Sequence, residues 1–286
     1  MQTIRLIRPN PKFASRGPGN GMDGLRAALE AVKPPWLAFG GEIGPNDIPW
    51  VWCWLDKPTA VTCESLKRPY ILGPCVFFEN GTKPTNAYAE KDLLNGPHCR
   101  MLFTDSDWYA EVIRRYMGPQ NRAEIVVWPF PINPLPAEPC DQRPALLIYE
   151  KSGIVPEVTA ALQQLFSPTI TIRYGLHERH QLSEAARMSW ACAYLSASDR
   201  GPLGLAEIML SGCPAVGIPT GAPWIEDGVT GWQVPSIGDA GCVAEAIEKC
   251  RWLDPGIVRA RAIGRFSAEA VLPTVLAALE KVSAAD

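Results

Sequence analysis

The residues best suited to chemistry fall in one stretch, 196–207, which reads SASDRGPLGLAE. A strand-like run, Ala193–Ser196, ends there, a loop holding Gly201 and Gly204 follows, and a helix-like run begins at Leu203. The first amides of a helix have no partner within it, and the helix dipole adds positive character, so such a corner attracts phosphate. Glycines let an anion come close to the backbone. Glu207 falls about one turn into the helix, where its carboxylate can accept from vicinal hydroxyls such as those of a ribose. Bonds of that charge-assisted kind contribute roughly 1.5–3 kcal/mol each. Asp199 stands eight residues earlier, before the turn, a position from which it could face the far end of the same ligand, where sugar hydroxyls would be.

A corner of this kind needs strands that end together and helices that start there. Strand-like and helix-like runs alternate along the chain, which predicts an α/β protein with parallel sheets. In the first half, a strand at Ile4–Arg8 is followed by a glycine-rich loop, Arg16–Gly21, and a helix from about Met22 to Val32. Apolar segments recur at Trp36–Phe39, Trp50–Leu55, Tyr70–Leu72, Met101–Thr104 and Ile125–Trp128, and Asp105-Ser106-Asp107 reads as a helix cap. Between Pro129 and Pro139, five of eleven residues are proline. Proline fixes φ and lacks an N–H, so this stretch reads as an interdomain linker.

The second half repeats the grammar. Strands are expected at Ala145–Tyr149, Thr169–Tyr174, Ala193–Ser196 and Ala215–Ile218, and helices at Pro156–Leu165, Leu182–Ser189 and Leu203–Leu210. Gly212 stands where a C-cap glycine belongs, and Pro214 stops the helix from resuming. Two further helices, Cys242–Cys250 and Leu272–Val282, close the chain. The resulting division is a first domain over 1–135 and a second over 140–267, with a C-terminal helix, 268–286, free to pack back on the first.

Asp199-x7-Glu207 followed by Ser211-Gly212-Cys213-Pro214-Ala215-Val216 resembles the E-x7-E region of retaining glycosyltransferases of GT-B architecture, the large family-four-like group. Pro223–Trp232, with Asp227-Gly228-Val229-Thr230-Gly231, is similar to that family's D-G-x-T-G segment. Residues 145–235 carry the likeness; the first 100 match in outline. The resemblance implies two Rossmann-like domains with an interdomain cleft, and transfer of a sugar from a nucleotide-sugar to an acceptor hydroxyl with retention of configuration. It implies that Glu207 binds ribose, that Asp199 binds the transferred sugar, and that amides around Gly201, Leu203, Gly204 and Leu205 hold the diphosphate. Lys151 would neutralise the leaving phosphate, and Tyr174 and Gly175 would flank the base. The sequence departs from the family's pattern in having Asp199 in place of glutamate, in lacking the usual arginine near Lys151, and in having no histidine after an early strand.

On the acceptor or diphosphate side, Gly19, Asn20 and Gly21 are candidates, although a tight turn explains them as well, and Asn80 follows the apolar run Val76–Phe78 in a polar, turn-like segment. Trp50, Trp52 and Trp54 alternate onto one face of a strand, as an aromatic platform or as a buried layer. A net charge of −3, from 27 basic and 30 acidic residues, argues against nucleic acid held by charge alone. The nine cysteines include no C-x-x-C pair and suit reduced, cytoplasmic thiols. No metal site, resident cofactor or transmembrane segment is expected. The co-substrate would be a UDP- or GDP-sugar, and the acceptor a glycan, a lipid-linked or small molecule, or a modified nucleobase. Rival readings are a nucleotide-sugar epimerase of the same fold and a non-catalytic carbohydrate-binding subunit.

Overall fold

The computed structural model describes residues 1–7, 18–53, 57–75, 78–79, 83–84, 96–132, 140, 142–153 and 155–285. The chain divides into two units, 1–131 with 268–286, and 132–267. The 133–139 part of the proline-rich stretch lies outside the described residues, as do Asn80 and Trp54.

The first unit is built on a six-stranded sheet. Its strands are β1 (Ile4–Leu6), β2 (Leu37–Phe39), β3 (Ile48–Cys53), β4 (Tyr70–Cys75), β7 (Cys99–Thr104) and β8 (Glu124–Val127), in the order β2-β1-β3-β4-β7-β8 and all parallel. The short pair β5 (Phe78–Glu79) and β6 (Lys83–Pro84) stands apart and is antiparallel. Helix α1 runs Pro18–Val32, so Gly19, Asn20 and Gly21 belong to its first turn and not to the expected loop. Pro18 supplies the reason: its fixed φ suits a first helical position, where an N–H has no use. Helix α2 (Lys57–Ser65) was not foreseen, whereas α3 (Asp107–Tyr116) starts as expected, with Ser106 Oγ accepting from Tyr109 N–H.

Trp50 and Trp52 are fully buried. Trp50 packs on Trp52 and Phe103 at 5.4 and 5.1 Å between ring centroids, and Phe103 meets Trp128 edge-on. The alternating tryptophans of β3 are therefore a packing layer and not a platform for ligands. The C-terminal helix, Ala268–Ala284, buries Val271, Val275, Leu279 and Val282 in this unit, and Ser283 exchanges hydrogen bonds with the backbone of Gln2.

The second unit holds a five-stranded parallel sheet. Its strands are β9 (Ala145–Ser152), β10 (Thr169–Arg173), β11 (Ser189–Ser196), β12 (Ala215–Gly217) and β13 (Gly231–Gln233), in the order β10-β9-β11-β12-β13. Its helices are α4 (Pro156–Leu165), α5 (Arg179–Arg187), α6 (Leu203–Leu210), α7 (Ala240–Lys249) and α8 (Pro255–Phe266). Helix α5 starts earlier than Leu182 because Glu178 and Gln181 form a reciprocal capping box. Helix α8 was missed, although Asp254 caps it and Pro255 opens it. The helices Pro255–Phe266 and 268–284 form an apolar run of mean hydropathy 1.4 over its best window. That run breaks at Ser267, whose ψ is 154°, and each part gives its apolar face to a core.

Strand periodicity sorts the core of this unit onto two faces. Leu147 and Tyr149 of β9, with Cys192 and Tyr194 of β11, pack against α5, α6 and α8. Leu146, Ile148, Ala191, Ala193 and Leu195 pack against α4 and α7. The chain therefore leaves β9 toward one face and β11 toward the other. The gap between their carboxyl ends is a topological switch point, the place where open α/β sheets bind ligands. The loops beyond it pack too tightly for side chains: a Cβ on Gly221 would stand 1.8 Å from the Ser196 carbonyl oxygen, and one on Gly153 2.5 Å from Ala197 Cβ. Gly221→Ala is expected to lower unfolding free energy by about 1–3 kcal/mol, the usual range for overpacking, seen as an earlier midpoint in urea.

Candidate functional site at the β9–β11 switch point

Lys151 is the penultimate residue of β9 and does not lie in the loop beyond it. Its Nζ donates to Asp199 Oδ2 at 2.5 Å. The same oxygen accepts from Tyr194 Oη at 2.6 Å, and Oδ1 accepts from Gly201 N–H at 3.2 Å. Asp199 is only 4% exposed, and its N–H donates to Thr220 O. A carboxylate so far from water persists only if it is paired and hydrogen-bonded. The three groups holding it come from β9, β11 and the β11–α6 loop, so Asp199 ties these elements into one piece. Ser152, Ser196 and Ser198 add a small hydroxyl-and-carbonyl network beside it.

Two tyrosines that the sequence places in strands, without a role in the site, support this arrangement. Tyr149 and Tyr194 are register partners on β9 and β11 and stack at 5.1 Å with 21° between ring planes. Burial, reinforced by the nearby Asp199 carboxylate, pushes both phenols far above their usual pKa, so both remain neutral, and Tyr194 is a donor to Asp199. Tyr149 also gives Gly204 a structural reason, since a Cβ there would stand 2.9 Å from Tyr149 Oη. Gly204 thus makes room for a tyrosine ring, a role separate from any approach of a phosphate.

The amides at the α6 start are not equivalent. Leu203 N–H is already spent on Gly201 O at 2.7 Å. Among the described residues nothing accepts from Gly204 or Leu205 N–H, but Leu205 is fully buried. Gly204, half-buried, is the one of the three that combines an unengaged donor with some access to solvent.

Glu207 points to α5, where Arg179 Nε donates to its Oε1 at 2.6 Å. Burial pushes the Glu207 carboxyl above its usual pKa, while Arg179 and, more weakly, His177 pull it back. Arg179 and Glu207 belong to a groove of about 190 Å³ that continues past His180, Ser183 and Arg187. Tyr174 is 58% exposed, and Lys151 Nζ lies 4.8 Å from its ring centroid. Gly175, at φ +81°, makes the turn beyond it, with open space where a side chain would point.

Glu150, the neighbour of Lys151, takes no part. It is buried and satisfied by Thr159 Oγ1 at 2.7 Å and by Arg173 through Nε and Nη2. The Asp227–Gly231 segment is a turn that feeds β13, with Gly228 at φ +74° and Glu226 paired to Arg261 and Arg265 of α8. Gly19, Asn20 and Gly21 lie in the other unit. Among the described residues no cluster of His, Cys, Asp and Glu is grouped as metal ligands would be.

No family model and no curated protein sequence matches the chain. Solved structures do match, over nearly its full length. The Anabaena protein HepE, solved with UDP-glucose, is 12% identical with a TM-score of 0.63, covering 98% of this chain and 100% of its own. The lipopolysaccharide outer core galactosyltransferase WaaB is 12% identical with a TM-score of 0.65, covering 99% and 100%. AviGT4, a glycosyltransferase involved in avilamycin A biosynthesis, is 14% identical with a TM-score of 0.57, covering 100% and 99%. The chain therefore has the GT-B fold, two parallel-sheet α/β domains, as found in nucleotide-sugar-dependent glycosyltransferases.

If Asp199 depends on its partners as the geometry indicates, Tyr194→Phe should destabilise the protein by about 1.5–3 kcal/mol, the range for a hydrogen bond to a charged group. Denaturant unfolding checks this, and Tyr174→Phe, at an exposed ring, should be neutral by comparison.

Proposed function

We propose that this protein is a retaining glycosyltransferase that moves a sugar from a nucleotide-sugar, a UDP-sugar in the first instance, to an acceptor hydroxyl. The observation that carries the reading is the Lys151–Asp199 pair, together with the half-buried Gly204 at the α6 start, at the switch point of a domain with the GT-B fold. Support for the nucleotide comes from neighbours of that fold solved with UDP or UDP-glucose. In this reading the second unit holds the donor and the first provides for the acceptor.

Each residue has a part in the reading. Glu207 accepts from the ribose hydroxyls. Tyr174 offers an exposed ring to the base, and Gly175 leaves the space beyond it open. Gly204 N–H and Lys151 face the diphosphate, where negative charge builds as the sugar–phosphate bond breaks; preorganised donors there lower the barrier. Asp199 acts first as the anchor of Lys151. A carboxylate has about four acceptor positions and three are used here, so one remains for a sugar hydroxyl. The bond from the anomeric carbon to the phosphate oxygen breaks, the acceptor oxygen bonds to that carbon from the same face, and the departing phosphate takes the acceptor's proton. The reaction balances without a redox partner, and a cytoplasmic site of action belongs to the same proposal.

A thermal-shift panel of nucleotide-sugars tests the donor, because a ligand at 100 times its Kd should add about 2.7 kcal/mol of stability. Lys151→Met should lower kcat by about 10²–10³, as loss of an oxyanion-type donor does, with a smaller change in donor KM. Absence of any stabilising nucleotide-sugar, or unchanged release of nucleoside diphosphate by Lys151→Met, would refute the assignment.

A further inference from the structure

The Arg179–Glu207 pair presents a problem that its geometry answers. Glu207 is on α6, and its side chain is 14% exposed. Desolvation alone would favour the neutral acid. A protonated glutamate keeps acceptor capacity but loses the charge that makes its hydrogen bonds strong. Arg179 stands at the first position of α5, 28 residues away in sequence, and reaches Oε1 through Nε. That bond engages Oε1, and among the described residues no hydrogen bond reaches Oε2.

We propose that Arg179 is a positioning residue that holds Glu207 charged and oriented, with Oε2 turned to the vicinal hydroxyls of a ribonucleotide. The inference rests on the donor-binding reading of Glu207 given above.

Other charged and titratable groups also face Glu207. His177, from the β10–α5 loop, acts on it electrostatically, and Tyr149 of β9 feels its charge. His180, Glu184 and Arg187 of α5 and Arg259 of α8 line the same groove. Among the described residues the hydrogen bond to the carboxylate comes from Arg179. Arg259 is occupied at the end of α6, donating to Leu210 O. Burial raises Glu207, and Arg179 opposes the rise. Ligand binding that needs the carboxylate is therefore complete above the Glu207 pKa and fades as pH falls through it. Without Arg179 the same fading must begin at a higher pH.

The experiment uses the full chain with the tightest binder among UDP, GDP and ADP, together with its 2′-deoxy counterpart. In the wild type the ribonucleotide should bind about 10-fold more tightly than the deoxy form, as loss of one charge-assisted hydrogen bond implies. Arg179→Met should bring that ratio near one and move the acid limb of the binding profile upward. Donor KM should rise while kcat changes little, and Arg179→Lys should restore part of the ratio. Glu207→Gln should erase the ratio by itself, and adding Arg179→Met to it should do nothing more, as expected of two residues acting as a unit. Unchanged discrimination and an unchanged pH profile in Arg179→Met overturn the proposal while leaving the donor site intact. A wild type that does not discriminate, or a Glu207→Gln that still does, overturns the ribose assignment itself and this inference with it. Unfolding midpoints of all variants separate these outcomes from loss of fold, with Arg179→Lys as the variant least able to disturb packing.

Discussion

The buried carboxylate of Asp199 is the constraint on which the second unit's working edge depends. A charge removed from water needs partners at fixed places, and here each partner belongs to a different element. Lys151 comes from the end of β9, Tyr194 from β11, and the Gly201 amide from the turn into α6. Satisfying one group therefore fixes two strand ends and a helix start relative to one another. Its neighbours show the consequences. The tyrosine stack beneath Asp199 admits only glycine at position 204, and the crowded loops admit only glycine at 153 and 221 without rearrangement.

The carboxylate pair eight residues apart does two different jobs. Asp199 is turned inward and saturated on three sides, and what it presents outward is chiefly the ammonium of Lys151. Glu207 is turned toward α5, where Arg179 holds Oε1 and no described residue hydrogen-bonds Oε2. A sequence motif of two acidic residues suggests equivalence. The structure distinguishes them by what surrounds each, one an anchor for a cation and the other an acceptor steadied by a cation.

Local signals in the sequence were read correctly where the physics is local. Ser106 caps its helix, Gly212 takes the left-handed conformation at φ +74°, and Ala215–Gly217 forms a strand after Pro214. The same kind of signal was present and overlooked at Asp254-Pro255, which opens α8, and at Pro18, which starts α1 before its glycines. The three alternating tryptophans could not be assigned to core or ligand surface from sequence, because alternation says which residues share a face and not what covers it. Burial decided the matter for Trp50 and Trp52.

By itself, then, the sequence determined the α/β alternation, the glycine-bearing corner before Leu203, and which residue types could meet a diphosphate and its sugars. Its pattern works through neighbours within a turn or two, where propensity, capping and proline chemistry act. The tertiary structure decided who pairs with whom. Lys151 meets Asp199 across 48 residues and Arg179 meets Glu207 across 28, while Tyr149 and Tyr194 stack because β9 and β11 lie side by side in register. Such contacts carry no spacing rule, since they depend on the order of strands in the sheet. That order also sends the chain to opposite faces after β9 and β11, and so places the corner at a switch point.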